Sequence, residues 1–186
     1  GGFGDGGGFV CRDRDVYEYV LGARNHGADE NKQIPLDIAY WGTNSRLDNV
    51  HAAILNFKLK DYSKVVDRRR SIAQTYHNAL CEIPDLNLPP APDADSDRFD
   101  VFQNYEICTD NRDELRKFLA DRGVGTIVQW GGFGIHQLER LMKPSHLPKT
   151  DRFFRRSLLL PMNHMLSDEE ALYTVGQVQD FFKKGL

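Results

Sequence analysis

Hydrophobic positions recur along this chain with helical spacing in several places. Leu47, Val50, Ile54 and Phe57 repeat at steps of three and four, which puts them on one face of a helix running from Arg46 to about Lys60. Ser45 precedes it as an N-cap, and Asp48 stands where a capping box normally has Glu or Gln. Upstream, Val16, Tyr19, Val20 and Ala23 line one side of a helix over Asp13–Arg24, which Asn25-His26-Gly27 ends. Residues 28–43 then form a polar loop around Pro35, and loops of this length often carry function or subunit contacts. Downstream, Tyr62, Val65, Val66, Ile72, Tyr76, Leu80 and Ile83 mark a second helix stopped by Pro84.

Beyond a Pro- and Asp-rich connection at 84–98, the period changes. Phe99–Thr109 is strand-like. Asn111 with Glu114 has capping-box spacing for a helix carrying Leu115, Phe118 and Leu119, ended by Gly123. Val124–Trp130 reads as a second short strand, His136–Met142 as a short helix halted by Pro144, and Asp151–Leu160 as an amphipathic segment. Ser167 with Glu170 caps a last helix that buries Leu172, Val175, Val178, Phe181 and Phe182. This alternation predicts a small α/β domain over residues 61–186 built on a short sheet. Residues 1–60 lack the rhythm and read as the end of another domain.

Composition narrows the function classes. The 186 residues carry a formal net charge of −3, with 40% hydrophobic and 27% charged residues. That is an ordinary globular balance, without the basic face that nucleic-acid binding requires. Arg68-Arg69-Arg70 is the strongest basic run and reads as a solvated helix face. Cys11, Cys81 and Cys108 are an odd, widely spaced set, which argues for thiols in a cytoplasmic setting rather than a disulfide framework or zinc site. The histidines have no metal-ligand spacing, and His77 with Cys81 reads as a structural pair. No apolar run approaches the ~20 residues of a membrane span.

Two stretches are candidates for chemistry. Asn44 and Ser45 stand at the expected start of the helix after Trp41-Gly42-Thr43, where free backbone N–H groups and the helix dipole favour an anion, phosphate above all. The alternative is an ordinary capped helix without a ligand. In Gln129-Trp130-Gly131-Gly132-Phe133-Gly134-Ile135-His136, glycines let the backbone approach a ligand closely. Trp130 offers a stacking face and His136 a donor; the alternative is a glycine-rich turn with Trp130 in the core. A formal G-x-G-x-x-G at Gly2, Gly4 and Gly7 has no strand before it and a strand-like Gly8-Phe9-Val10-Cys11 after it, so a dinucleotide site is rejected.

Taken in order, Gly4-Asp5-Gly6-Gly7, Arg24-Asn25-His26-Gly27, Gly42-Thr43-Asn44-Ser45-Arg46-Leu47-Asp48 with Ala52-Ala53-Ile54-Leu55, Arg112-Asp113-Glu114-Leu115, Gly123-Val124-Gly125-Thr126 and Leu160-Pro161-Met162 resemble the pyridoxal-phosphate-dependent sugar-nucleotide aminotransferases of the DegT/StrS group. The resemblance covers nearly the whole chain. It implies the C-terminal portion of a type I aminotransferase fold: the end of the large domain and the start of a connecting helix in 1–60, and the small domain in 61–186. It also implies a homodimer that moves an amino group, commonly from glutamate, to a nucleotide-linked keto-sugar.

In such enzymes a lysine holds the cofactor as a Schiff base and stands a few residues before G-D-G-G. By that register it falls about two positions before Gly1, and none of the lysines present matches it. The expectation is therefore a piece of a longer enzyme, inactive alone. The resemblance places Asn44 against the partner subunit's cofactor phosphate and the Trp130–His136 region against the sugar nucleotide. Gln-Trp-Gly-Gly stands where relatives have a His-Tyr-Pro type of sequence, which leaves the sugar and the ketone position open. The competing expectations are a non-catalytic sugar-nucleotide-binding or dimer-assembly module, and one half of a split enzyme.

Overall fold

The computed structural model describes residues 4–28, 38–140, 143 and 145–183. The chain divides into two compact units, Gly1–Tyr62 and Ser63–Leu186.

The first unit holds α1 (Arg14–Ala23) and α2 (Asn49–Leu59). Asp13 caps α1 by accepting from the amides of Asp15 at 2.9 Å and Val16 at 3.2 Å. Past α1, His26 and Gly27 adopt left-handed backbone (φ 63° and 77°) and turn the chain. Residues 38–45 return antiparallel along this turn, with bridges Ala28–Ile38 and Asn25–Asn44.

Two expectations change here. The strand at Gly8–Cys11 does not form, and Phe9 and Val10 are exposed. The helix expected from Arg46 begins at Asn49, so the cap is Asp48, which makes no side-chain capping bond. Ser45 is engaged elsewhere: its amide donates to the Arg24 carbonyl at 2.8 Å. The middle of the 28–43 loop lies outside the described residues.

The second unit is built on a two-stranded antiparallel sheet, β1 (Tyr105–Cys108) and β2 (Ser157–Leu160), with Tyr105 opposite Leu160 and Cys108 opposite Ser157. Single bridges extend the ladder: Asn87 beside Cys108, and Ile127 beside Leu159. Around it pack α3 (Tyr62–Leu80), α4 (Arg112–Ala120), α5 (Pro148–Arg156) and α6 (Asp168–Lys183). The core draws Ile72, Tyr76 and Leu80 from α3, Leu115 and Leu119 from α4, and Val175, Val178 and Phe181 from α6, closing on Tyr105, Ile107, Leu158 and Leu160 of the sheet. The stop of α4 at Gly123 (φ 76°) and the box between Ser167 and Glu170 form as expected; the box bonds measure 2.9 and 3.1 Å.

The departures in this unit have identifiable causes. Asp151–Leu160 is not one amphipathic segment: α5 ends at Arg156 and β2 follows, all four of its residues buried. A short apolar run with both faces buried has no period to separate strand from helix. The strand expected over Val124–Trp130 shrinks to the Ile127 bridge, and the strand expected from Phe99 begins only at Tyr105, because Phe102 takes a left-handed backbone (φ 47°). The helix expected at His136–Met142 is a single 3-10 turn, Ile135–Gln137; residues 141 and 142 lie outside the described set. Asn111 precedes α4 but makes no capping bond, and Leu172 of α6 is exposed.

Arg68-Arg69-Arg70 is not a solvated face. Arg68 reaches the Leu166 carbonyl at 2.5 Å and Asp168 at 2.6 Å; Arg69 reaches the carbonyls of Phe102 and Gln103 at 2.9 and 2.7 Å; Arg70 reaches the Asp100 carbonyl at 2.7 Å and pairs with Asp93. Three consecutive guanidinium groups thus supply donors to backbone carbonyls that have no ladder partner.

Candidate functional site

In the first unit the close packing of the 24–28 turn and the 38–45 return depends on glycines. A Cβ on Gly27 would stand 1.8 Å from the Tyr40 carbonyl oxygen, one on Gly42 2.3 Å from the Gly27 nitrogen, and one on Gly22 2.2 Å from the Tyr40 hydroxyl. Backbone bonds use that proximity: Thr43 N–H donates to Ala23 at 2.8 Å and His26 N–H to Thr43 at 3.0 Å. Tyr40 stacks on Tyr19 with 4.6 Å between centroids and donates its hydroxyl to the Tyr19 carbonyl at 2.7 Å. Asn44 and Ser45 are therefore fixed by the end of α1 rather than by the start of α2.

Beside them opens a cleft of about 870 Å³ lined by Asp5, Gly6, Gly7, Gly8, Phe9, Tyr17, Val20, Leu21, Arg24, Ser45, Arg46 and Leu47. The early glycine block and the Asn-Ser-Arg-Leu-Asp block thus share one cavity. Ser45 contributes to its wall. Asn44 is adjacent, its Oδ1 accepting from Arg46 Nε at 3.0 Å. Arg24 and Arg46 also line the cleft; the reading of helix starts does not single them out, although both lie in the motifs given above. Two guanidinium groups, a serine hydroxyl and glycine backbone suit the phosphate end of a cofactor such as pyridoxal phosphate. Among the described residues that line the cleft there is no lysine.

In the second unit the other candidates lie on one loop but in opposite environments. Trp130 is 80% exposed, within a 3-10 turn (Gln129–Gly132) where Trp130, Gly131 and Gly132 all have left-handed backbone. It is not packed in the core. His136 is 4% exposed, and its Nε2 lies 2.8 Å from Asp151 Oδ1. Spacing in the chain did not foretell this partner, fifteen residues away on α5. Gln137 joins them, donating from Nε2 to the same Asp151 oxygen at 3.0 Å and accepting from the Gly134 amide at 2.9 Å. His77 and Cys81 do not form the pair read from their spacing; the Cys81 thiol points to the Asn78 carbonyl at 3.8 Å. Among the described residues no group of three or more His, Cys, Asp or Glu is placed to hold a metal, and no helix is long and apolar enough to cross a membrane.

Solved structures of similar shape define the class. Aminotransferase TlmJ from Streptoalloteichus hindustanus superposes with a TM-score of 0.81 at 24% identity over 94% of this chain and 47% of its own. DesV of S. venezuelae, solved in complex with a ketimine intermediate, superposes with a TM-score of 0.78 at 27% identity over 93% and 46%. The fold is thus a partial aminotransferase fold.

The family follows from the sequence match: the DegT/DnrJ/EryC1/StrS aminotransferase family is matched over residues 2–179, and the chain belongs to it. Enzymes of this family depend on pyridoxal phosphate. Curated relatives include a dTDP-3-amino-3,4,6-trideoxy-alpha-D-glucose transaminase of Streptomyces venezuelae, 30% identical over 99% of this chain and 48% of its own length. Another is the pleiotropic regulatory protein of Geobacillus stearothermophilus, 32% identical over 98% and 49%. The chain spans about half the length of these relatives.

Proposed function

We propose that this chain is the C-terminal part of a sugar-nucleotide aminotransferase, contributing phosphate- and substrate-facing surfaces but not the amine that holds the cofactor. Residues 1–60 belong to the end of the large domain and 61–186 form the small domain. The observation that carries this reading is the cleft of the first unit: Arg24, Ser45 and Arg46 line it beside glycine backbone, with no lysine among the described residues of its wall.

When bound, pyridoxal phosphate supplies the electron sink through which an amino group passes from a donor such as glutamate to the ketone of a nucleotide-linked sugar. This chain's residues bind and orient. Arg24 and Arg46 balance phosphate charge, the Ser45 hydroxyl donates to a phosphate oxygen, and the Asn44 amide extends the same surface toward a partner subunit in a homodimer. Trp130 presents a ring face to the sugar nucleotide. A cytoplasmic setting suits the three cysteines, none of which is in a disulfide.

The experiment is treatment of the 186-residue chain with pyridoxal phosphate and then borohydride, followed by intact mass and peptide mapping. The expected result is no stoichiometric cofactor mass on any one lysine. Stoichiometric addition at a single lysine would overturn the proposal.

A second reading is a non-catalytic member that binds a nucleotide sugar without transforming it; one relative carries the name of a regulatory protein rather than a transaminase. Binding of dTDP-glucose by a form extended to the relatives' length, with no amino transfer from glutamate to any keto-sugar offered, would favour that reading.

A further inference from the structure

Buried and exposed side chains are sorted sharply along the 129–137 loop. Trp130, Phe133 and Ile135 are exposed, whereas His136, the titratable side chain at the end of the loop, is sealed at 4%. A side chain so enclosed cannot meet a ligand that Trp130 meets. We propose that His136 is a positioning residue: with Asp151 and Gln137 it fixes the loop so that the Trp130 ring stands free as a ligand face. The inference rests on the reading of this loop as substrate-facing.

The bonds form a closed set. Asp151, in the first turn of α5, has one carboxylate oxygen accepting from two side chains of the loop, His136 Nε2 at 2.8 Å and Gln137 Nε2 at 3.0 Å. A carboxylate is well placed in a first helical turn, where the dipole favours negative charge. The acceptor fixes the tautomer: Nε2 carries the proton that points at Asp151. Gln137 uses its other end to hold the Gly134 amide at 2.9 Å, so the chain before His136 is fastened by the residue after it.

Gly134 provides the space. A Cβ there would lie 2.5 Å from His136 Cε1 and 2.6 Å from Nδ1, closer than a Cβ comes without the imidazole shifting, and 3.1 Å from Phe154 Cε2, a tight contact. Upstream, Gly132 sits against Val128 and the Phe154 carbonyl, 3.4 and 3.5 Å from the position of a Cβ. α5 thus supports the loop at both ends. That support matters because Trp130 has φ 52° and ψ 27°, a conformation that non-glycine residues keep only where the surroundings impose it.

The test uses the full 186-residue chain with Trp41→Phe, which leaves Trp130 as the only indole. Trp130 emission and anisotropy are recorded, with dTDP-glucose as the probe. In His136→Ala and Asp151→Ala, emission and anisotropy are expected to move toward those of a mobile indole, and probe binding to weaken on the order of tenfold, while far-ultraviolet circular dichroism is retained. His136→Gln, which can place a donor near the Nε2 position, is expected to restore both. Should His136→Ala fail to fold, Gln137→Ala provides the same reading, since it removes the tie between Asp151 and the Gly134 amide. Unchanged Trp130 emission and anisotropy in the alanine variants would overturn the positioning role. The substrate-facing reading fails separately: it falls if Trp130→Ala in the otherwise native chain binds dTDP-glucose as well as the parent does.

Discussion

The glycines of this chain fall into two kinds that sequence alone does not separate. Gly27 has φ 77° and no room for a Cβ, which would meet the Tyr40 carbonyl at 1.8 Å. Gly176 lies within α6 and has nothing within 4 Å of that position. Alanine at the two sites therefore has opposite signs. Gly27→Ala must open the contact between the 24–28 turn and the 38–45 return, and is expected to lower unfolding free energy by roughly 2 kcal/mol or more. Gly176→Ala removes backbone freedom from the unfolded chain and is expected to raise it by about 0.5–1 kcal/mol. Urea unfolding of the two variants beside the parent reads both, and equal effects would refute the distinction. The placement of Asn44 and Ser45 rests on this packing, so it inherits the sensitivity of Gly27.

At the scale of elements, what could be read in advance was whatever repeats with a period. α1, α3, α4 and α6 show their apolar faces in the spacing of their residues, and the Ser167–Glu170 box announces where α6 begins. β2 stayed hidden because Ser157-Leu158-Leu159-Leu160 is buried throughout and continues from α5 without a turn residue. The three arginines stayed hidden because the charge run does not say which carbonyls lack donors. The two stretches with candidate chemistry can be picked out in the sequence, but the environments within them cannot: Trp130 is exposed and His136 enclosed, and burial is a property of the fold.

The packing of α3 against β1 also sets a pH limit. Burial pushes the Tyr76 phenol up to about 12 while its hydroxyl donates to the Pro161 carbonyl at 2.8 Å. Burial raises the Tyr105 phenol too, with Tyr76 and Cys81 adding to the effect. A raised folded-state value means that the folded chain holds its proton where the unfolded chain has lost it. The stabilisation is complete below about pH 10 and disappears as pH rises toward 12, amounting to about 3 kcal/mol for Tyr76. Urea midpoints are expected to fall steeply above about pH 10, and less steeply in Tyr76→Phe. A midpoint flat to about pH 11.5 would contradict this.

At the scale of the whole molecule, α2 is the element without a core. Ala52, Ala53, Ile54 and Leu55 make it apolar, yet none of its residues is buried, and Val50, Phe57 and Leu59 are 69, 73 and 62% exposed. A helix this short gains most of its stability from tertiary packing, so leaving its apolar residues in water is costly. If the chain is part of a longer enzyme, as we propose, the rest of that enzyme would cover this face; with the 186 residues alone, a second copy of the chain is the cover at hand. The chain is therefore expected to self-associate at micromolar concentration. Phe57→Glu is expected to shift it toward monomer while leaving the second unit's unfolding transition in place, since Phe57 lies in the first unit and contributes nothing to the core cluster of the second. Multi-angle light scattering across a dilution series measures the association directly. A monodisperse monomer at about 100 μM would mean that the exposed face of α2 is tolerated in water, and would remove this support for the dimer. Association that persists unchanged in Phe57→Glu would place the contact elsewhere on the surface.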